Sequence, residues 1–362
     1  MRYRITLIPG DGIGPEVTDQ AVRCIEATGI DIEWERVCAG SIALERFGRP
    51  LPEDVLESIR KNKVCLKGPI ITPIGEGFRS VNVELRRILD LFVCLRPAKS
   101  FEGIDSPFKD IDIIIFRENT EDLYSGIEFE ENSDRTTRII GEIEELQNRK
   151  IRSDSAISVK SISKSGSERF IKFCFEYALK NNRKKIACGH KANILKFTDG
   201  LFLNVAREAS KKYKDIIFEE ILIDNLAMQL VKNPKNFDCI TLPNLYGDII
   251  SDLCAGLIGG LGVAAGANIG KDYAVFEPVH GSAPKYKGKN LVNPAATILS
   301  GALMLKYLGE EEKAERLESA VRGVIREGKF VTYDLKKDRN DPTAVRTSQM
   351  ADAVIEKLKI KK

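Results

Sequence analysis

Histidine is scarce in this 362-residue chain: there are two, His190 and His280, alongside one tryptophan and four methionines. That scarcity excludes a metal centre built on several imidazoles. The eight cysteines (Cys24, Cys38, Cys65, Cys94, Cys174, Cys188, Cys239 and Cys254) include no CxxC, so a zinc ribbon or dithiol redox motif is excluded too. Most sit in apolar runs and read as reduced, buried thiols, as expected of a cytoplasmic protein. No apolar run is long enough to span a bilayer. The opening MRYRITLIPGDG turns to glycine and acid after a short strand-like run, unlike a signal peptide. Charge of one sign is missing as well: Lys+Arg 56 against Asp+Glu 53 leaves +3, which excludes a nucleic-acid binder relying on bulk positive charge. There is no Walker loop and no nucleophile elbow.

What is present is globular, with 43% hydrophobic and 30% charged residues. The length suits two domains or one large α/β unit. Buried strands are expected from Arg4 to Ile8, from Val64 to Gly68, from Ile111 to Phe116, around Ile186–Cys188 and from Ile217 to Ile223. Gly10-Asp-Gly-Ile-Gly14 with Pro15 follows the first strand. This is GxGxG rather than the dinucleotide fingerprint GxGxxG, with no acid-ending second strand at the expected distance, and reads as a tight strand-to-helix turn in preference to the alternative, a phosphate loop. Leu85, Ile88, Leu89 and Phe92 form a helical stripe that Ser80 would cap. Residues 128–165 are highly charged and read as a solvated arm or protruding hairpin. Alternating strands and helices make the chain α/β.

The chemistry concentrates in three sets of residues. Asp248 and Asp252 are one helical turn apart in an otherwise apolar segment without lysine or arginine, so both carboxylates project from one face. Either a hard divalent cation such as Mg²⁺ or Mn²⁺ lies between them, or a first helical turn tolerates both through its dipole. Asp224, at a strand end, is a third ligand candidate. Arg86, one turn beyond Asn82, with Arg96 before a proline and Arg117 ending a buried strand, would grip a small polycarboxylate bidentately; taken singly, each is equally an ordinary surface arginine. Tyr124 and Lys191 are candidate proton carriers.

Seven segments carry a family likeness: IPGDGIGPEV, RSVNVELRRILDLFVCLRP, RENTEDLYSGIE, HKANILKFTDG, DNLAMQLV, NLYGDIISDLCAGLIGGLG and EPVHGSAPKYKGKNLVNP. Together they resemble the β-decarboxylating dehydrogenases, the isocitrate/isopropylmalate dehydrogenase family, from Ile8 to about Tyr333. The resemblance implies that family's fold and not a classical Rossmann fold. It implies a large cofactor-binding domain (1–91 and 259–362), a small domain (92–121 and 164–258), a clasp or dimer arm (122–163), and a homodimer with shared active sites. Asp248 and Asp252 would hold Mg²⁺ or Mn²⁺, with Asp224 coming from the partner subunit. Arg86, Arg96, Arg117 and Asn193 would bind substrate carboxylates. Lys191 from the other subunit would take the hydroxyl proton, and Tyr124 would protonate the enol carbon.

Substrate and cofactor follow from the same likeness. Ser80 and Asn82 stand where isopropylmalate enzymes carry leucines, which implies the γ-carboxylate of isocitrate; an isopropyl group would leave two polar groups unpaired, at about 1–3 kcal/mol each. Homoisocitrate, one methylene longer, is the rival, and because one methylene is worth only about 1–3 kcal/mol, an enzyme using both substrates is the further alternative. The nucleotide would be wrapped by Thr72, Glu277, His280, Gly281, Ser282, Ala283, Pro284, Val292 and Asn293. Lys285, Tyr286, Tyr333 and Lys337 resemble the NADP-type set, in place of the acidic residue of NAD-using relatives, although Lys337 stands where the bacterial pattern has arginine. The expected activity is NADP-dependent oxidative decarboxylation of isocitrate to 2-oxoglutarate, in the tricarboxylic acid cycle. A non-catalytic regulatory subunit is the contrasting expectation, disfavoured by the presence of Tyr124, Lys191, Asp224, Asp248 and Asp252.

Overall fold

A computed structural model describes residues 2–72 and 80–359; Met1, 73–79 and 360–362, all within the expected large domain, lie outside the described residues. The strands in chain order are β1 (Tyr3–Ile8), β2 (Ile32–Arg36), β3 (Val64–Lys67), β4 (Val93–Lys99), β5 (Asp112–Glu118), β6 (Glu128–Phe129), β7 (Ile157–Ser158), β8 (Lys185–His190), β9 (Ile217–Leu222), β10 (Cys239–Leu242), β11 (Ala265–Ile269) and β12 (Ala274–Pro278). Ten of them form one sheet in the order β2-β1-β3-β12-β11-β4-β5-β10-β8-β9, while β6 and β7 pair with each other. At one end β2, β1, β3 and β12 run parallel. At the other, β5, β10, β8 and β9 also run parallel. Three antiparallel pairings, β12–β11, β11–β4 and β4–β5, join them, so the two halves point in opposite directions. The sheet is continuous across β11 and β4, where the expected large and small domains meet. Crossover helices cover the parallel halves, as parallel sheets require. No helix among the described residues is long and apolar enough to cross a membrane.

Register in the antiparallel seam places the site. Side chains alternate across a strand, so partners in register share a face. Glu277 pairs with Gly266, Asn268 with Cys94, and Cys94 with Arg117. Lys67, Glu277, Asn268, Arg96 and Arg117 therefore stand on one face of five adjacent strands. Leu66, Phe276, Ala267, Leu95 and Phe116 alternate to the other face, and all are buried. A run of polar residues thus sits back to back with an apolar row.

Several local expectations hold. Ser80 caps the helix Val81–Ile88, accepting from the Val83 N–H at 3.5 Å. The helix is shorter than the stripe suggests: Asp90 takes φ +48°, the Leu91 N–H returns to the Arg86 carbonyl at 2.8 Å, and Phe92 lies outside it. Ile223, expected to end a strand, opens the helix Ile223–Lys232 instead. The charged stretch after Glu128 is a β6–β7 ladder enclosing the helix Asp134–Gln147, which Ser133 caps. GxGxG is a structural turn. Gly10 and Gly12 take φ +80° and +60°, and a Cβ on Gly12 would lie 2.1 Å from the Ser282 carbonyl oxygen. Asp11, 1% exposed, accepts from Ser41 N at 2.9 Å and Ile71 N at 3.0 Å. The turn thus braces the segment expected to wrap the nucleotide, with the Ile13 N–H on the Ser282 carbonyl at 2.9 Å.

Candidate active site

The helix Asn244–Leu257 lies over the polar face of the seam because Gly247 lets it approach: a Cβ there would meet the Arg117 side chain at 2.6 Å. That approach brings Arg117 Nη1 onto Asp248 Oδ1 and Arg117 Nε onto Asn244 Oδ1 at 2.9 Å. Arg96 Nη1 bridges Asp248 Oδ1 at 3.3 Å and Asp252 Oδ1 at 3.2 Å, and donates to Ser251 Oγ at 2.6 Å. The aspartate pair, which has no cation in its own segment, is therefore neutralised by arginines from β4 and β5. Tyr124 donates to Asp248 Oδ2, and the Arg117 guanidinium stacks 4.6 Å from the Tyr124 ring centre.

These neighbours set the protonation states. Burial alone would raise the Asp248 carboxyl, but Arg117 and Arg96 outweigh it and hold it below its ordinary range. Asp252 is pushed up by burial, with Asp248 adding to the shift. Burial first, then Arg86 and Arg96, bring Arg117 down to about 10, the mark of a locally over-positive cluster. Burial and the bond to Asp248 raise the Tyr124 phenol, so it carries its proton at neutral pH.

A cavity of about 200 Å³ opens here, lined by Ser80, Asn82, Arg86, Arg96, Arg117, Tyr124, Asp248 and His280 among others. Buried polar atoms at its walls lack a partner in the protein: Asn82 Oδ1, Arg86 Nε, Arg117 Nη2 and His280 Nε2. Such atoms are costly unless a ligand meets them, and most of them suit a polyanion with acceptor oxygens. Arg86 Nη2 binds Glu277 Oε1 at 3.1 Å, and Glu277 Oε2 pairs with Lys67 at 2.5 Å. Asn268 completes the bonding at 2.7 Å. Burial would raise Glu277, yet Lys67 and Arg86 hold it far below the ordinary carboxylate range.

Lys191 and Asp224 are elsewhere. Lys191 Nζ pairs with Asp224 Oδ1 at 2.6 Å, both partly exposed, and neither lines the cavity. Asn193 beside them is exposed. Among the described residues of one chain, no three His, Cys, Asp or Glu side chains gather to hold a metal ion. Asp248 and Asp252 do offer hard carboxylate oxygens from one helix face, a donor chemistry that fits Mg²⁺ or Mn²⁺ once further oxygens are supplied.

At the expected nucleotide segment, Ala283 takes φ +37° and Pro284–Tyr286 form a 3₁₀ turn. Lys285 Nζ lies 5.0 Å from the Tyr286 ring centre, and the Tyr286 and Tyr333 rings are 6.1 Å apart. The bond to Tyr333 and then the charge of Lys285 lower the Tyr286 phenol, while burial first and Tyr286 next push Tyr333 up to about 12. Val292 packs with Ile13 and Val17. Asn293 binds Asp334 at 3.0 Å, and the Thr72 hydroxyl binds Ser80 Oγ at 3.1 Å. Lys337 is exposed. Gly281, Ser282 and His280 follow directly on β12; burial holds the His280 imidazole below its usual value.

Sequence reasoning missed two cations. Lys67, 1% exposed, closes the short strand VCLK, and a lysine in a buried strand was itself a signal. Arg339, two residues past Lys337, acts electrostatically on both Tyr286 and Tyr333.

The family model "Isocitrate/isopropylmalate dehydrogenase" matches residues 4–354. The chain is 46% identical over 331 residues to an Arabidopsis thaliana protein named isocitrate dehydrogenase [NAD] catalytic subunit 5, mitochondrial, covering 91% of this chain and 83% of that one. It is 41% identical to isocitrate dehydrogenase [NADP] of Archaeoglobus fulgidus, covering 98% and 92%. The crystal structure of isocitrate dehydrogenase from Methylococcus capsulatus superimposes with a TM-score of 0.90 at 49% identity, covering 99% of this chain and 100% of that one. A chain so matched over nearly its whole length, in sequence and in fold, belongs to the isocitrate/isopropylmalate dehydrogenase family.

Proposed function

We propose that the chain oxidises and decarboxylates isocitrate to 2-oxoglutarate and CO₂, reducing NADP, as a homodimer whose two active sites are shared. The observation that carries this reading is the convergence of Arg86, Arg96 and Arg117 with unpaired donors on one small cavity, closed at the helix start by Ser80 and Asn82. Three guanidinium groups suit three carboxylates. Ser80 and Asn82 offer the third carboxylate polar partners that an isopropyl group would strand.

Exposed Met228, Val231 and Ile249 on the paired helices Ile223–Lys232 and Asn244–Leu257 support a second copy docking there. That copy would contribute the partner subunit's Lys191 and Asp224 of the partner subunit. Asp248, Asp252 and Asp224 of the partner subunit would hold Mg²⁺ or Mn²⁺, which would supply Lewis acidity toward the substrate. The partner subunit's Lys191 would take the hydroxyl proton, and a bound nicotinamide would supply the hydride acceptor. CO₂ leaves, and Tyr124, kept protonated by burial and by Asp248, returns a proton to the carbon that lost it. The expected large and small domains would close on substrate along the seam, with the clasp as dimer arm. Lys285, Tyr286, Tyr333 and Arg339 support a 2′-phosphate, hence NADP over NAD.

Initial rates with isocitrate, homoisocitrate and isopropylmalate, each with NADP and NAD, with and without Mg²⁺, test every part. The highest kcat/KM is expected for isocitrate with NADP, with activity lost in chelator. Preference for homoisocitrate would move the substrate by one methylene, and preference for NAD would overturn the phosphate assignment. No turnover on any substrate would favour a regulatory chain.

A further inference from the structure

Outside the cavity lining lies an ion cluster with no part in the reading above. Lys160 Nζ is 3.1 Å from Asp122 Oδ1 and 3.1 Å from Asp199 Oδ1, and lies 4.5 Å from the Tyr246 ring centre. The two carboxylates are 1% and 0% exposed. One ammonium thus holds two buried carboxylates, a costly arrangement unless each does further bonding. Each does. Asp122 Oδ2 accepts the Leu245 N–H at 2.9 Å, at the first turn of the helix carrying Asp248 and Asp252. Asp199 Oδ2 accepts the Lys191 N–H at 2.7 Å. Asp122 itself is two residues from Tyr124, opens its 3₁₀ turn at φ +67°, and donates its own N–H to the Ser161 carbonyl beside Lys160 at 2.9 Å. Lys160, which follows β7 of the arm, is therefore the point where the Tyr124 turn, the Lys191 strand end and the Asp248 helix meet.

We propose that Lys160 is a positioning residue for the reaction, fixing Tyr124 and Lys191 and the start of the Asp248 helix through Asp122 and Asp199. The inference rests on the roles given above to Tyr124 and Lys191. Because Arg86, Arg96 and Arg117 reach the cavity from the helix Val81–Ile88, β4 and β5, and Lys160 touches none of them, loss of Lys160 disturbs proton transfer far more than substrate affinity. It also joins the two separated groups of the site: the cavity side and the Lys191–Asp224 side, which serves the neighbouring copy.

The test uses the full chain with Lys160→Met, Lys160→Arg and Asp199→Asn. For Lys160→Met, kcat on isocitrate is expected to fall about 100-fold, as for a misplacement of around an ångström, with KM within about threefold. Lys160→Arg, which keeps the charge, restores most of kcat. In parallel, hydrogen exchange at the Lys191 and Leu245 amides is expected to quicken about tenfold or more in Lys160→Met, while β10 amides are unchanged. Asp199→Asn quickens Lys191 and spares Leu245. A rise in KM as large as the fall in kcat, or no rescue by arginine, would mark a merely structural lysine and overturn the proposal, as would unchanged exchange at both amides. If the unmodified protein fails to turn over isocitrate, the functional reading falls, and exchange alone decides the cluster. If Lys160→Met does not fold, the site-selective pattern of Asp199→Asn decides it.

Discussion

Lys67 and Glu277 are 2.5 Å apart with side chains 2% and 11% exposed, whereas Lys191 and Asp224 are 2.6 Å apart with side chains 28% and 64% exposed. The separations are nearly equal, yet the two pairs do different work. The first is locked by Arg86 and Asn268 and sits under the cavity, so its charges are committed to holding an arginine in place. The second is open to solvent, and Asp224 is the one carboxylate on the Lys191 ammonium among the described residues, which leaves both groups accessible for the role proposed for them. Buried pairs preorganise a site; exposed pairs wait to complete one.

Substitutions can break that comparison. Lys191→Ala is expected to lower kcat by about 10²–10⁴-fold while the melting temperature stays where it was, if the lysine has the proton-transfer role proposed above and its exposed ion pair adds little to stability; steady-state rates and thermal unfolding measured side by side check it. Glu277→Leu should do the reverse in emphasis, costing about 3–5 kcal/mol of stability by stranding Lys67 and Arg86 in the core. Denaturant unfolding reads that loss, and a double variant that also replaces Lys67 with Met should recover part of it. Gly247→Ala is a milder insult at the helix–sheet contact: overpacking against Arg117 should cost about 1–3 kcal/mol and raise KM for isocitrate more than it lowers kcat. Unchanged KM would mean that Arg117 is not held by that approach.

The smallest effect is in pH. Glu277 has a folded-state pKa below its unfolded one, so its stabilisation is fully present above the ordinary carboxylate range and is lost as pH falls through that range toward the depressed value. Melting temperatures from pH 7 to pH 3 should therefore drop less steeply in Glu277→Gln than in the unmodified chain. Equal slopes would show that other carboxylates govern acid unfolding.

Much of this was readable before any coordinates. Strands announce themselves by apolar runs, Ser80 by its place ahead of a helical stripe, and Asp248 and Asp252 by a spacing that only a helix makes meaningful. What was hidden is long-range. Nothing near Asp248 in sequence says that Arg96, more than 150 residues earlier, would lie between it and Asp252; sheet register decides that. The charge on Lys67 becomes intelligible only beside Glu277, which lies beyond most of the chain. Lys191 and Asp224 stood out as a lysine and a strand-end acid, but only the family likeness implied that they serve a neighbouring copy, and within one chain they pair with each other outside the cavity. Arg339 is hidden because the family pattern marks the position of Lys337, two residues earlier.

The alternation in the seam has a consequence for how such a chain can change through time. Deleting or adding a single residue within β4, β11 or β12 would carry Arg96, Asn268 or Glu277 through the sheet to the apolar side and turn Leu95, Ala267 or Phe276 toward the cavity side. Point replacements there can be graded in effect, but a change of length cannot. Insertions that lineages accumulate should therefore collect in the arm and in surface connections, leaving these three strands of constant length wherever the activity survives.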